Sequence, residues 1–504
     1  MCDVTFFCRS YLLFALQVVL FVACSICLWI IVGIPIAIFY YRNKFRRKAT
    51  QRKGEAFRIG IFHPYCNDGG GGEKVLWTAV RSILKGYPSA KIVIYTGDVE
   101  YSPSEILMRV KQIFNITFPG EVDFVYLHNR KWITADKYPY FTLLGQSLGS
   151  VYLGMEALSA YQPDLFIDTM GYAFTYPLFK YVGHCKIASY VHYPTITSDM
   201  LKRVSGRVPS YNNRPTVANS PFLTAGKLIY YKIFAWLYGL VGRCSDVIMV
   251  NSTWTEEHIN ELWCQPMSTH CVYPPCGVDD LIAIPRNFSS NNNRNDGKDQ
   301  IKIISIGQFR PEKNHPLQLR ALYQLRTLIP ESVWERVQLI LIGGCRNSED
   351  KRRVKDMEDL CKHLSLENNV IFKLNAPYSE LKKELSESTI GLHAMWNEHF
   401  GIGVVECLAA GLLTIAHRSG GPKTDIIIES EGSRNGFLAA SDDEYAQAMA
   451  SIIRMPAKQR ERVILAARSS VDRFSVEQFE KQFMRALEPF LKDYGHSQGK
   501  FPNS

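Results

Sequence analysis

Apolar residues follow two rhythms along this chain. Residues 11–41, "YLLFALQVVLFVACSICLWIIVGIPIAIFYY", form one long run without a single charge. About 20 apolar residues span a bilayer core, and a signal-peptide core is about half as long, so the run predicts a transmembrane helix rather than a buried core helix or a cleaved leader. Beyond it, short apolar segments alternate with helical stretches. "FRIGIFHPY" (57–65), "AKIVIYTGD" (90–98), "VDFVYLH" (122–128), "PDLFIDTMG" (163–171), "CKIASYVHYP" (185–194) and "DVIMVNSTW" (246–254) read as buried strands ending in polar turns. After the polar stretch "SSNNNRNDGKDQ" (289–300) a second series begins with "IKIISIGQFRPEKNH", "VQLILIGGC", "NVIFKLNAP", "IGLHAMW" and "GLLTIAHRSGGP". Strands separated by helices predict parallel sheets covered on both faces, with ligands beyond the carboxyl ends of the strands. The fold class is therefore α/β, with two Rossmann-like domains facing a cleft.

The expected organisation has an anchor and basic flank over 1–56, a first domain over 57–288, a linker over 289–300 and a second domain over 301–475. A terminal helix over 476–492 and a tail over 493–504 complete it. One segment resists the scheme. "PFLTAGKLIYYKIFAWLYGLVGR" (221–243) is long enough to span, but Lys227 and Lys232 would be costly at mid-bilayer. It predicts an interfacial helix, with an internal helix of the first domain as the alternative.

Composition supports a folded protein of more than one core: 504 residues, 46% hydrophobic and 21% charged. The net charge of +10 is concentrated in "RNKFRRKATQRK" (42–53), which holds seven Lys or Arg and no acid. The near balance elsewhere argues against a nucleic-acid groove. A basic flank on the carboxyl side of the apolar run places the domains in the cytosol. The thirteen cysteines are scattered without a disulfide framework, which agrees.

The chemistry gathers in a few turns. "DGGGGEK" (68–74) follows a strand and opens a helix, so amides around Gly70, Gly71 and Gly72 can attract an anion. It lacks the order of a Walker or dinucleotide loop, and a tight turn without a ligand is the plain alternative. "GQFRPEKN" (307–314) sets Arg310 and Lys313 within one turn, where they can clamp a diphosphate or form a solvated pair. His192 ends a strand, either packed or catalytic. No D-x-D pair or zinc-spaced cluster is present in the cytosolic part, so no metal is expected. Finally "NEHFGIGVVECLAAG" (397–411) places Glu398 and Glu406 on either side of Phe400-Gly401-Ile402-Gly403, with a helix expected from near Val404. The bland reading makes Glu398 a solvated loop residue and Glu406 a cap of its helix.

The E-x7-E spacing resembles the signature of family four of the retaining glycosyltransferases, which have the GT-B fold. The glycine-rich first loop, "VNSTW" (250–254), "VYPPCGVDD" (272–280) and the G-to-K loop stand in that family's order over about residues 57–492. "HPYCNDGGGGEKVLW", "SYVHYPTITSDML", "GQFRPEKNHPLQL" and "NEHFGIGVVE" are most similar to its branch of endoplasmic-reticulum α-1,2-mannosyltransferases, which use GDP-mannose. Those enzymes add the fourth and fifth mannoses of a dolichol-diphosphate-linked oligosaccharide on the cytosolic face.

The resemblance implies a single-pass protein of that membrane, acting without a metal, with further mannosyltransferases of the same pathway as candidate partners. It implies that Glu398 lies near the transferring mannose and His192 orients sugar or acceptor. Glu406 would hold the ribose, while Arg310, Lys313 and the amides of 400–403 would bind the diphosphate. Many relatives carry arginine where this chain has Gln308, which leaves the part played by Arg310 open. The rival readings are another membrane-associated GT-B transferase with a lipid acceptor, and a non-catalytic scaffold subunit.

Overall fold

The apolar runs become strands because most of them are buried on both faces, with a glycine, proline or asparagine near the point where the chain must turn. The computed structural model describes residues 32–52, 56–206, 220–286, 300–430 and 432–498, with the isolated positions 17, 18, 21 and 25. The expected membrane span (11–41) lies for its larger part outside the described residues, as do the expected linker and the end of the tail. Among the described residues no helix is long and apolar enough to cross a membrane.

The first domain contains β1 (Arg58–Phe62), β2 (Lys91–Thr96), β3 (Val122–Tyr126), β4 (Leu165–Asp168), β5 (Lys186–Val191), β6 (Val247–Val250) and β7 (Thr269–Cys271). They pair in the order β3-β2-β1-β4-β5-β6-β7, every neighbour parallel. The second contains β8 (Ile301–Ile306), β9 (Val337–Gly343), β10 (Val370–Leu374), β11 (Ile390–His393), β12 (Leu413–His417) and β13 (Phe437–Ala439). Its order is β10-β9-β8-β11-β12-β13, again parallel.

Both orders reverse direction beside their first strand, between β1 and β4 and between β8 and β11. This is the switch point where a parallel sheet opens a crevice for a ligand. The glycine-rich turn leaves β1, the G-to-K turn leaves β8, and the E-x7-E stretch follows β11. All three turns therefore open at switch points.

Each sheet is covered on both faces. In the first domain Ile59 and Ile61 join one core cluster, while Phe62 and its neighbour Phe166 join the other. The terminal helix Val476–Gln498 places Phe479, Phe483, Leu487 and Leu491 four residues apart along one face, and all four enter the first-domain core. Burying each such side chain contributes about 1.5–3 kcal/mol. Arg81 and Lys85 both hold Glu480 on the rim of that contact.

The segment after Ser220 is a helix, Pro221–Gly242, packed by one face on the first domain. Gly239 and Gly242 allow the close approach: a Cβ there would lie 2.4 Å from Leu262 O and 2.2 Å from Trp263 Cε2. The opposite face leaves Phe222, Ile229, Ile233 and Trp236 exposed. Near the N-terminus, the helix Ile34–Gln51 carries the basic cluster and docks on the first domain through buried Phe45, whose carbonyl accepts from Gln162 Nε2 at 3.2 Å.

Candidate active site

The first wall of the cleft is built from the turn after β1. Gly69 takes φ +79°, a conformation open to glycine, and Gly70 caps the helix Gly71–Gly86. Glu73, in the first turn, bends back to accept from the Gly70 amide and from His63 Nε2 at 3.2 Å. His63 Nδ1 hydrogen-bonds Thr169 Oγ1 at 2.7 Å, which ties the turn to the end of β4. Burial opposes the Glu73 charge, but His63 and the Gly70 amide outweigh it and hold the carboxyl below its usual range. The loop is thus shaped by a buried polar network, its glycines left bare. A Cβ on Gly72 would stand 3.7 Å from His192 Nε2.

His192 follows β5. Its backbone carbonyl accepts from Asn251 Nδ2 at 2.9 Å, and its buried Nε2 has no hydrogen-bond partner among the described residues. Burial and the neighbouring His63 push its pKa down to about 4, so the ring is neutral at physiological pH.

The second wall begins at the end of β8. Phe309 is fully buried against His315, which pins the turn and leaves Arg310 and Lys313 to face the cavity. Arg310 lies 3.7 Å from Glu312, and its buried Nε has no partner among the described residues. Lys313 Nζ donates to Glu398 Oε2, and His393 Nε2 donates to the same oxygen at 3.0 Å. Burial would raise the pKa of Glu398, yet Lys313 and His393 prevail and hold it well below the ordinary range. Glu398 is therefore a fixed anion.

The chain then turns at Gly401, φ +113°, into the helix Ile402–Ala409. That start is two residues earlier than expected, because Gly401 rather than Gly403 supplies the left-handed cap. Gly420 and Gly421 press against the back of this turn, and the Gly421 amide donates to Glu398 O at 2.8 Å. Glu406 lies on the helix, where burial raises its pKa and the charge of Lys74 opposes the rise.

The two walls touch. Asn397 Nδ2 donates to Asp199 Oδ2 of the first domain at 2.8 Å. The His399 ring lies 4.0 Å from that of Tyr193 and 5.6 Å from that of Trp254, both first-domain residues. Between the walls is a cavity of about 650 Å³. Its lining includes Gly70, Gly71, Gly72, His192, Arg310, Lys313, Glu398, Phe400, Gly401, Ile402, Gly403 and Glu406, so the structure brings every sequence-predicted site residue to one place.

Sequence reasoning missed His393, His399, Lys74, Asn251 and Tyr378, which line the same space. His393 carried a usable signal, since it ends β11 at the switch point. Among the described residues no three His, Cys, Asp or Glu side chains cluster as metal ligands.

Two parallel Rossmann-like sheets whose switch points open on one shared cavity make up a GT-B architecture. Solved structures share that fold. A trehalose 6-phosphate synthase from Burkholderia multivorans superposes with a TM-score of 0.61 at 10% identity over 87% of this chain and 100% of that one. Anabaena HepE in complex with UDP and glucose gives 0.58 at 17% identity, covering 86% and 99%.

Sequence comparison is more specific. The profile "ALG11 mannosyltransferase N-terminus" matches residues 56–263 and "Glycosyl transferases group 1" matches 287–470. The proteins named GDP-Man:Man(3)GlcNAc(2)-PP-Dol alpha-1,2-mannosyltransferase from Mus musculus and Xenopus laevis are 48% and 52% identical to this chain. The alignments cover 92% and 86% of the chain, and 94% and 88% of those proteins. The chain belongs to this mannosyltransferase family.

Proposed function

We propose that the cavity binds GDP-mannose and that the protein transfers its mannose, with retention and in α-1,2 linkage, to a dolichol-diphosphate-linked oligosaccharide. The observation that carries this reading is the Lys313–Glu398–His393 cluster. It stands beside the amides of the Gly401 turn and opposite His192, within one cavity. An ammonium has three donors. One is committed to Glu398, which fixes the side chain and leaves two for the oxygens of a diphosphate.

The chemistry places positive groups where negative charge grows. The bond between mannose C1 and the phosphate oxygen breaks, and Lys313, Arg310 and the amides of residues 400–403 stabilise the departing diphosphate. The acceptor hydroxyl attacks C1 from the same face and gives its proton to the leaving phosphate oxygen. Glu398, held anionic, offsets positive charge at the sugar. Glu406 accepts from the ribose hydroxyls, and neutral His192 orients sugar or acceptor from the opposite wall. These groups supply the electrostatic stabilisation without a metal.

The same reading places the protein at the endoplasmic-reticulum membrane, anchored once through residues 11–41 with its domains in the cytosol. The basic helix Ile34–Gln51 next to the apolar run supports this orientation. So does the exposed apolar face of Pro221–Gly242, where Phe222 is 89% and Trp236 66% exposed.

The test supplies purified full-length protein with GDP-mannose and a trimannosyl lipid-linked acceptor, with and without EDTA. Expected is α-mannosidase-sensitive elongation that EDTA leaves intact. Absence of elongation overturns the function, and loss that Mn²⁺ restores overturns the metal-free mechanism.

A further inference from the structure

Two helix N-termini face each other across the cleft. Gly71, opening the first-domain helix, comes so near Ile402, opening the second-domain helix, that a Cβ on it would lie 2.9 Å from Ile402 Cδ1. Helical spacing carries that contact one turn inward. Lys74 lies three residues after Gly71 and Glu406 four after Ile402, each on the same face as the touching residue.

Lys74 and Glu406 both line the cavity, and the Lys74 charge acts on Glu406. The Lys74 ammonium also stands 3.3 Å from where a Cβ on Gly277 would be, so it points toward the segment joining the two sheets. No carboxylate among the described residues lies within ion-pair distance of it. An ammonium in a cavity wall, at the positive end of its own helix, is costly unless an anion joins it. Lys313 on the other wall already has Glu398 as its partner. Lys74 has none.

We propose that Lys74 is a phosphate ligand for the nucleotide-sugar donor, supplied by the first domain, so that the diphosphate is gripped by cations from both walls. This deepens the donor-site reading above and rests on it. It also gives the cleft a reason to stay shut over the donor, because the anion bridges Lys74 and Lys313 and screens two like charges from each other.

The alternative is that Lys74 serves only as counter-charge to Glu406, and a ligand series separates the two. Binding of GDP, GMP and guanosine is measured by calorimetry for the full-length protein and for Lys74→Met and Lys74→Arg. If Lys74 meets phosphate, Lys74→Met lowers the preference for GDP over guanosine by about 10- to 100-fold, leaves guanosine affinity unchanged, and is largely rescued in Lys74→Arg. Equal loss for GDP and guanosine assigns Lys74 to Glu406 or to the fold and overturns the proposal. An unchanged preference overturns it as well. The wild-type series is a separate check: failure of the unaltered protein to prefer GDP over UDP and ADP defeats the donor-site reading itself, whatever the variants do.

Discussion

Replacing Lys313 by methionine tests the centre of the site, since it removes the charge and keeps most of the stem. The side chains of Glu398 and Lys313 are 12% and 23% exposed, so the pair sits near the buried end of the range. Exposed pairs contribute about 0–1 kcal/mol, whereas stripping one partner from a buried pair costs about 3–5 kcal/mol. His393 still donates to the orphaned carboxylate, which moderates the cost. A loss of about 2–4 kcal/mol is expected for Lys313→Met.

Glu398→Gln should cost less, because the freed ammonium faces the cavity and can hydrate. The double variant should then show a coupling of about 1.5–3 kcal/mol, measured by urea unfolding of all four proteins. The gap between wild type and Lys313→Met also depends on pH. A carboxylate held below its ordinary value of 4.5 adds stability that is present above that pH and lost as pH falls through its native value. The gap is therefore full at neutral pH and closes in acid. A coupling under about 0.5 kcal/mol, or a gap indifferent to acid, would refute the reasoning.

Three further outcomes follow from the same geometry. Glu406→Ala should raise KM for GDP-mannose about tenfold or more with kcat little changed, whereas Glu398→Ala should mainly lower kcat; steady-state kinetics on both variants decides. His192 is neutral down to about pH 4, while its unfolded form gains a proton near 6.5, so wild type should lose about 2 kcal/mol relative to His192→Gln between pH 6.5 and 5. Parallel pH–stability curves would count against a buried neutral ring. Deleting residues 1–56 should leave part of the protein on vesicles, and Ile233→Glu with Trp236→Glu should release it in flotation; a truncated protein that never floats removes the interfacial role.

The alternation of strands and helices was legible because buried parallel strands are apolar on both faces and end in recognisable turns. The edge strands β7, "THC", and β13, "FLA", were not, since three residues are too few to show a period. For Pro221–Gly242 the sequence left two readings, interfacial or internal. The structure shows why: Gly239 and Gly242 fit one face against the helix Thr253–Trp263, while Trp236 and Phe222 on the other face remain uncovered. The site residues that escaped notice did so for a common reason. Lys74 reads as a solvated helix charge and His399 as a loop polar residue until the opposite domain is placed against them.

The two glutamates that frame the Gly401 turn stand eight positions apart, yet they are driven in opposite directions. Glu398 precedes the turn, where Lys313 and His393 converge on one of its oxygens, and its carboxyl is held down. Glu406 lies inside the helix, where burial raises its carboxyl against a single opposing charge, Lys74. Environments that separate two carboxylates in this way assign them different work. A permanent anion beside the cavity floor suits charge stabilisation and cannot act as a proton donor. A carboxylate whose charge burial disfavours is suited, in the proposed donor site, to accept from neutral hydroxyl groups. In the proposed donor site the turn between them exposes its amides to a third group, the diphosphate. Only glycine at 401, with φ +113°, lets the backbone reverse tightly enough to do this. On the proposed reading one short segment grips three parts of one ligand because its two ends lie in different electrostatic surroundings, set by Lys313 and His393 at one end and Lys74 at the other.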